Sequence, residues 1–186
     1  MYINIHQSLI DRCLENDKEA QFSIYKLYYR SMYNTSLRIV NKIDDAEDIM
    51  QESFLTAFQK LPVYKGEVSF GTWLKRIVIN RSLDYLRKRR VEFEEVTSEI
   101  PVFEEERENE PEYTVEEIKL AISQLSDGYR TILSLILLEG YDHEEVSEIL
   151  GISNVTSRTQ FSRAKQHLRV LLIEKKRSQL TMQHYG

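Results

Sequence analysis

At 186 residues the chain can form one large domain or two small ones, and each small domain needs a compact helical core to be stable alone. Only six Gly and three Pro occur, among many charged and long aliphatic residues that favour helices, which argues against a sheet-rich fold. The longest apolar run, 132–138, is too short to span a bilayer, and the N-terminus has no basic start followed by an apolar stretch. We therefore expect no membrane insertion and no export.

Cysteine and histidine usage limits the chemistry that the chain can perform. A single cysteine, Cys13, excludes an internal disulfide and is typical of a reducing cytoplasm, and we interpret it as a small apolar filler. His143 and Glu144 resemble the opening of a zinc-protease motif, but Ser147 stands where the second histidine is required. No metal spacing, glycine-rich phosphate loop or nucleophile motif occurs, so we expect no metal, no cofactor and no enzyme activity.

The formal net charge of −5 conceals a distribution in blocks. Residues 91–112 contain ten glutamates and one arginine, a net charge of −9, so the rest of the chain carries +4. Two basic segments, 75–90 and 154–177, each contain seven Lys or Arg residues and one acidic residue. Attraction to phosphate depends on such local patches and not on the isoelectric point, so both segments are candidate nucleic-acid surfaces.

The acidic block separates two helical regions. It contains Pro101 and Pro111, few aliphatic residues and no helical periodicity, so it cannot bury enough surface to offset the entropy of ordering it. The predicted fold is therefore all-α, with two small helical domains, 1–90 and 113–186, joined by an acidic flexible linker over 91–112.

Two helices are predicted in the first half of the N-terminal domain. Asp17 can cap a long helix with apolar residues at near-helical spacing: Phe22, Tyr25, Tyr29, Met32 and Leu37. Asp44, with Glu47 three residues later, predicts a capping box for a second helix that ends before Pro62. Its apolar stripe comprises Ala46, Ile49, Met50, Phe54, Ala57, Phe58 and Leu61. Its polar face comprises Asp45, Asp48, Gln51, Glu52 and Thr56.

A loop, 63–69, and a basic helix complete this domain. Ser69 can cap the helix, which continues to the arginines at 87, 89 and 90. Its apolar residues are Phe70, Trp73, Leu74, Ile77 and Val78. Phe70 and Trp73 can stack on bases, but their helical spacing within this stripe favours core packing. Arg76, Asn80 and Arg87 fall near one another on the helix surface.

Capping residues and glycines mark the predicted helix ends of the second domain. Two capping boxes are predicted, Thr114 with Glu117 and Asp142 with Glu145, and Ser126 or Asp127 can begin a helix between them that ends near Gly140. Gly151 can terminate the short helix that follows Asp142, and Ser153 can cap a long helix from residue 154. A helix, a three-residue glycine-containing turn and a second helix are typical of the helix-turn-helix, whose second helix enters the major groove of DNA.

Three segments in this order resemble one known family. DDAEDIMQESFLTAFQKL, then SFGTWLKRIVINRSLDYLRKRR, then a helix-turn-helix that ends in SRAKQHL are similar to the extracytoplasmic-function sigma factors of bacterial RNA polymerase. The resemblance covers nearly the whole chain except the acidic segment and the last dozen residues. It implies a specificity subunit that binds core RNA polymerase, recognises the minus-35 and minus-ten promoter elements and promotes DNA opening.

The resemblance also implies roles for individual residues. Asp48, Gln51 and Glu52 match the family's core-binding helix, although an exposed acidic helix face is also compatible with simple solvation. The loop 64–69 and the next helix match the element that opens the minus-ten region and captures a flipped base, which requires a pocket and a cationic groove. The candidates there are Tyr64, Lys65, Arg76, Asn80, Arg81, Arg87 and Lys88, with Asn80 as the base reader.

The recognition helix of the second domain is expected to bind the minus-35 element. The residues that match its base-reading part are Asn154, Thr156, Ser157, Arg158, Thr159 and Gln160, with Arg163 and Lys165 on phosphates. The family often has an arginine where this chain has Gln160, and glutamine binds adenine where arginine prefers guanine, so the base preference there is open.

The sequence leaves two roles open for the acidic linker, and it also leaves an alternative class for the protein. The linker is either a solubilising tether, the default for such a composition, or a mimic of nucleic acid inside the polymerase channel. Replacing its glutamates with glutamines reduces initiation without weakening duplex binding only in the second case.

The family resemblance implies an anti-sigma factor as a further partner. The alternative protein class is a stand-alone helix-turn-helix regulator, which gives no reason for the acidic helix, aromatic loop and basic helix of the first domain.

Overall fold

The structure of the protein, a computed structural model, describes residues 5–89 and 112–184. Regular structure in these two ranges is helical throughout, which confirms the predicted all-α class. The chain divides into two compact units between residues 91 and 92, which confirms two domains. The predicted linker, 91–112, lies outside the described residues except for Glu112. The two units are described separately below.

Four helices and one short turn build the described part of the first unit. The helices are α1 (Gln7–Leu14), α2 (Lys18–Val40), α3 (Ile43–Lys60) and α4 (Phe70–Lys88), and a 3-10 turn, Leu61–Val63, follows α3. The last three helices pack against one another in pairs, and α1 packs against α2. Cys13 on the unpredicted α1 is buried in the core, and burial, followed by the charge of Asp17, raises the pKa of its thiol.

The helix starts of this unit confirm two predicted caps and correct a third. Asp17 Oδ1 accepts hydrogen bonds from the amides of Glu19 and Ala20 at 2.9 and 3.2 Å, and Ser69 Oγ accepts one from the amide of Thr72 at 3.0 Å. The predicted capping box at Asp44 is wrong. The third helix begins at Ile43, two residues earlier than a cap at Asp44 would place it, so Asp44 lies in the first turn, where a carboxylate interacts favourably with the positive end of the helix dipole.

The apolar stripe predicted for α2 is wrong for two of its residues. Phe22 and Tyr29 are 56% and 44% exposed, whereas the covered side of the helix comprises Ala20, Ile24, Met32, Thr35, Ser36, Ile39 and Val40. Because α2 contacts three other helices, its buried face is broad and accepts small polar residues. Ser36 Oγ lies 3.1 Å from Ser82 Oγ of α4, so these two buried hydroxyls form a hydrogen bond with each other in the core.

The stripes of α3 and α4 match their predictions more closely. Ala46, Ile49, Met50, Phe54, Ala57 and Leu61 are buried, and Phe58 is partly buried against them. On α4, Phe70 is fully buried and Trp73 packs against it, with ring centroids 5.6 Å apart. Both aromatic residues therefore belong to the core, as their spacing predicted.

The second unit is also helical. It contains α5 (Val115–Gln124), α6 (Asp127–Leu133), a π-helical segment that continues α6 (Ser134–Leu138), α7 (His143–Leu150) and α8 (Asn154–His184). Both predicted capping boxes form, at Thr114 with Glu117 and at Asp142 with Glu145. The eighth helix packs against α5, α6 and α7, so the core of the unit surrounds its first half.

The predicted helix-turn-helix is present. Gly151 ends α7 in the left-handed conformation, with φ 70° and ψ 36°, which glycine adopts without steric cost. Ser153 Oγ accepts a hydrogen bond from the amide of Thr156 at 3.0 Å, so Ser153 caps α8 as predicted. The turn thus consists of residues 151–153. No helix within the described ranges has the length and apolar character needed to cross a bilayer.

Candidate functional site

A polar groove of about 720 Å³ lies between α3 and α4 of the first unit. Asp45, Asp48 and Glu52 line it from α3, and Asn80, Arg81 and Lys88 line it from α4. Residues predicted to bind polymerase and residues predicted to bind minus-ten DNA therefore share one groove.

Two side-chain contacts cross this groove. The guanidinium of Arg81 forms an ion pair with the carboxylate of Glu52 and donates a second hydrogen bond to Thr56 Oγ1 at 2.7 Å. The hydroxyl of Tyr85 donates a hydrogen bond to the carboxylate of Asp45. Burial, and next the hydrogen bond to Asp45, raises the pKa of Tyr85, so this phenol remains a donor. Together the two contacts join the acidic surface of α3 to the basic surface of α4.

The three predicted core-binding residues lie on two edges of α3. Asp48 and Glu52 face the groove beside α4, whereas Gln51 borders a shallow apolar depression with Phe22, Tyr25, Phe54, Leu55 and Phe58. Leu55 is 63% exposed there and forms part of an apolar patch with Phe22, which is 56% exposed. The exposed surface of α3 is therefore acidic along one edge and apolar along the other.

The loop before α4 is held by aromatic packing. The hydroxyl of Tyr64 donates to the carbonyl of Val68 at 2.6 Å, and its ring lies 5.0 Å from that of Trp73 and 5.8 Å from that of Phe70. Gly66 in this loop has a φ of 70°, a left-handed conformation that glycine adopts without steric cost. Tyr64 is thus partly buried support for the loop, while Lys65 is exposed on it.

On α4, the predicted DNA-binding residues differ in their surroundings. Arg76, Asn80, Arg87 and Lys88 are exposed, and spacings of four and seven place the first three on one side of the helix. Arg87 forms an ion pair with Asp84 at 3.0 Å. Arg81 lies about 100° around the helix from Asn80, where Glu52 and Thr56 hold it.

On α8, seven of the eight predicted residues are exposed or partly exposed. These are Asn154, Thr156, Arg158, Thr159, Gln160, Arg163 and Lys165. The Nε of Arg158 donates to Asn154 Oδ1 at 2.8 Å, a contact that uses one of five guanidinium protons. The ammonium of Lys165 lies 5.0 Å from the ring centroid of Phe161.

The structure contradicts the eighth residue, Ser157. Its side chain is 0% exposed, and its Oγ lies 3.0 Å from His143 Nδ1 at the start of α7. The ring of His143 also meets that of Phe161 edge-on at 5.3 Å. Ser157 therefore fixes the two helices of the motif against each other and cannot reach a base. Its spacing of seven from the buried Ala164 is the sequence signal for this position.

The same helical phase exposes Val155, which is not among the eight residues of this helix that the sequence predicted to bind DNA. It is 74% exposed in the first turn of α8. Elsewhere, the described residues contain no group of three or more His, Cys, Asp or Glu side chains able to hold a metal ion.

Family models match both units of the chain. Sigma-70 region 2 matches residues 24–92, and Sigma-70 region 4 matches residues 115–168, which together are more than half of the chain. The RNA polymerase sigma-H factor of Pseudomonas aeruginosa is 31% identical over 176 residues, covering 86% of this chain and 90% of its own length. The ECF RNA polymerase sigma factor SigW of Bacillus subtilis is 28% identical, with coverages of 86% and 92%.

Two solved structures share the fold. CnrH, solved in complex with the cytosolic domain of CnrY, has a TM-score of 0.55 at 19% identity, covering 89% of this chain and 96% of CnrH. The sigma factor RpoE of Bartonella quintana, solved with the anti-sigma factor NepR, has a TM-score of 0.56 at 23% identity, with coverages of 81% and 94%.

The two matched regions and the curated relatives define the chain as an RNA polymerase sigma factor. It belongs to the extracytoplasmic-function group of these proteins, as the sequence indicated. It is therefore a transcription initiation factor that recognises promoters, and not an enzyme. The alternative of a stand-alone helix-turn-helix regulator does not account for the match of the first unit to region 2.

Proposed function

We propose that this sigma factor divides its contacts among three surfaces. The exposed side of α3, with Asp48, Gln51 and Glu52, binds core RNA polymerase. The loop 64–69 and α4 bind the opened minus-ten element. The first turns of α8 read the minus-35 element. The predicted domain bounds, 1–90 and 113–186 with the linker 91–112, are part of this proposal.

The observation that carries the proposal is the separation of acidic and basic side chains between α3 and α4. Asp48 is exposed on α3, and Arg76 and Asn80 are exposed on α4. Polymerase would therefore meet α3 and DNA would meet α4, the two walls of the groove that these helices share. Since the core is apolar and closely packed, binding of the polymerase to α3 also fixes the orientation of α4.

Binding to DNA gains from the presence of both units. Each basic helix makes a few exposed contacts, which alone give weak affinity at physiological salt. When the polymerase holds both units, the second contact becomes intramolecular, and its effective concentration multiplies the affinity of the first. This chain is thus proposed to bind promoters usefully only within the holoenzyme.

A further partner and a location complete the proposal. RpoE of Bartonella quintana was solved with an anti-sigma factor. We extend this to the present chain, for which an anti-sigma factor covers the exposed apolar residues of α2 and α3, among them Phe22 and Leu55. The family's role and the single cysteine support a cytoplasmic location.

The test is transcription by purified core RNA polymerase from a library of promoter DNAs, with and without this protein. Protein-dependent initiation is expected, and Asp48→Arg abolishes it because a positive charge replaces a negative one in the docking surface. Asp11→Arg, which makes the same charge change at an exposed site on α1, retains it. Specific DNA binding without any initiation would contradict the proposal.

A further inference from the structure

Val155 is an exposed apolar residue in the helix that is proposed to read the minus-35 element. Among the side chains of α8 that the structure describes, it is the one large apolar side chain that is mostly exposed, at 74%. It follows Asn154 at the very start of the helix and makes no contribution to the cap, which Ser153 supplies. The free chain gains no burial from a valine at this position.

The helical phase places Val155 at the centre of the exposed surface of α8. The buried side of the helix contains Ser157, Ala164 and Leu168, and Val155 lies about opposite to them at 100° per residue. Thr159 and Gln166, four and eleven residues later, are exposed along the same line. Arg158 and Arg163 fall on the two sides of this line, at about 60° and 80° from it.

An exposed central line with a cation on each side suits a helix that lies in a DNA major groove. In a helix-turn-helix, the N-terminal residues of the second helix approach the base edges, and cations beside them meet the phosphate backbones. The central line therefore faces bases. The apolar group that bases present in the major groove is the C5-methyl of thymine.

We propose that Val155 packs against the C5-methyl group of a thymine in the minus-35 element and sets a preference for thymine at one position. This inference rests on the proposed function of α8. It names a specificity-determining residue that the sequence pattern alone did not select. Since one methyl group is buried, the expected discrimination between thymine and uracil is about fourfold.

The experiment uses the full chain assembled with core RNA polymerase. The probe is a promoter library whose minus-35 segment is randomised and synthesised with either thymine or uracil, which differ only in the C5-methyl. Bound DNA is sequenced for the wild type, Val155→Ala, and Val115→Ala as a matched control. Val115 is an exposed valine in the first turn of α5 of the same unit. Val155→Thr, which keeps one of the two methyl groups and the side-chain volume, serves as a second variant.

The wild type is expected to enrich thymine over uracil about fourfold at one position. Val155→Ala loses this difference, Val155→Thr retains part of it, and Val115→Ala retains it fully. Equal enrichment of the two libraries by the wild type overturns the inference, as does an unchanged methyl effect in Val155→Ala. If the complex enriches no minus-35 sequence from either library, the proposed function fails together with the inference, so the two failures are distinguishable.

Discussion

The two basic helices, α4 and α8, hold their cations in different ways. On α4, Arg81 is paired with Glu52 and Arg87 with Asp84. On α8, residues 154–173 include no acidic residue, and the nearest partner of Arg158 is the neutral amide of Asn154. A cation paired with a carboxylate must exchange partners before it binds a phosphate, whereas an unpaired one need not. On the proposed function, we therefore expect Arg158 to be available to DNA in the free chain, and Arg81 to become available when a partner of α3 engages Glu52.

The largest expected effect concerns Arg158, the cation of α8 in this comparison. Arg158→Ala removes an exposed guanidinium from the first turns of α8, and a bidentate contact with a base is worth about 1–3 kcal/mol. The affinity of the holoenzyme for a duplex carrying its minus-35 element should fall about five- to 150-fold. Fluorescence anisotropy measures this change. Lys119→Ala, at an exposed position on α5, should leave affinity within a factor of two or so of the wild type. Equal losses in both variants would mean that only total charge matters.

The next effect tests whether Ser157 supports the motif. Ser157→Ala removes the partly buried hydrogen bond to His143, and an intramolecular hydrogen bond contributes about 1 kcal/mol to the free energy of unfolding. The midpoint of thermal unfolding of the second unit should fall by a few degrees, while the base preferences of the holoenzyme stay the same. A changed base preference at unchanged stability would return Ser157 to the DNA-contacting set.

A smaller effect concerns Arg81, the cation of α4 that forms an ion pair with Glu52. Glu52→Gln removes the negative charge that holds Arg81, and partly exposed ion pairs of this type contribute about 0.2–1 kcal/mol. Binding of the free chain to single-stranded DNA should therefore increase up to about fivefold. Glu47→Gln, at an exposed site of the same helix outside the groove, controls for the change in net charge. No difference between the two variants would show that the pair does not restrain Arg81.

The smallest effect is a pH dependence common to the two units. The amide of Ala20, followed by Arg12, lowers the pKa of Asp17, and the amide and hydroxyl of Thr114 lower that of Glu117. A carboxyl with a lowered folded-state pKa stabilises the fold above its unfolded-state pKa, about 4, and loses this stabilisation as the pH falls through the folded value. Asp17→Ala and Glu117→Ala should each flatten the acid side of the stability curve of their own unit in circular dichroism. An unchanged acid limb in both variants would contradict the capping role of these carboxylates.

Local signals predicted most of the fold. Asp17, Ser69, Asp142 and Ser153 bond to backbone amides within three residues, so their roles depend on neighbouring positions only. At Asp44 the same logic failed, because a carboxylate that stabilises the first turn through the helix dipole has the same sequence pattern as a cap. The short α1 was missed because eight residues carry too little periodicity.

The site was less predictable, because its key contacts join distant positions. Glu52 and Arg81 are 29 residues apart in sequence and meet only because α3 packs against α4. The burial of Ser157 and the exposure of Val155 depend on the phase of α8, which becomes certain once Ala164 and Leu168 are known to face the core. Family resemblance selects the helix proposed for each role, but tertiary packing determines which of its side chains are exposed to a partner.

The most direct test of the central claim compares the free chain with the holoenzyme on two DNA probes over a range of salt concentrations. The free chain should bind a minus-35 duplex weakly, with log affinity falling by about 0.9 per neutralised phosphate against log salt, and should barely bind single-stranded minus-ten DNA. The holoenzyme should bind both probes tightly. A free chain that binds the minus-ten strand as well as the holoenzyme does would contradict the account, since it would show that Arg81 needs no release from Glu52.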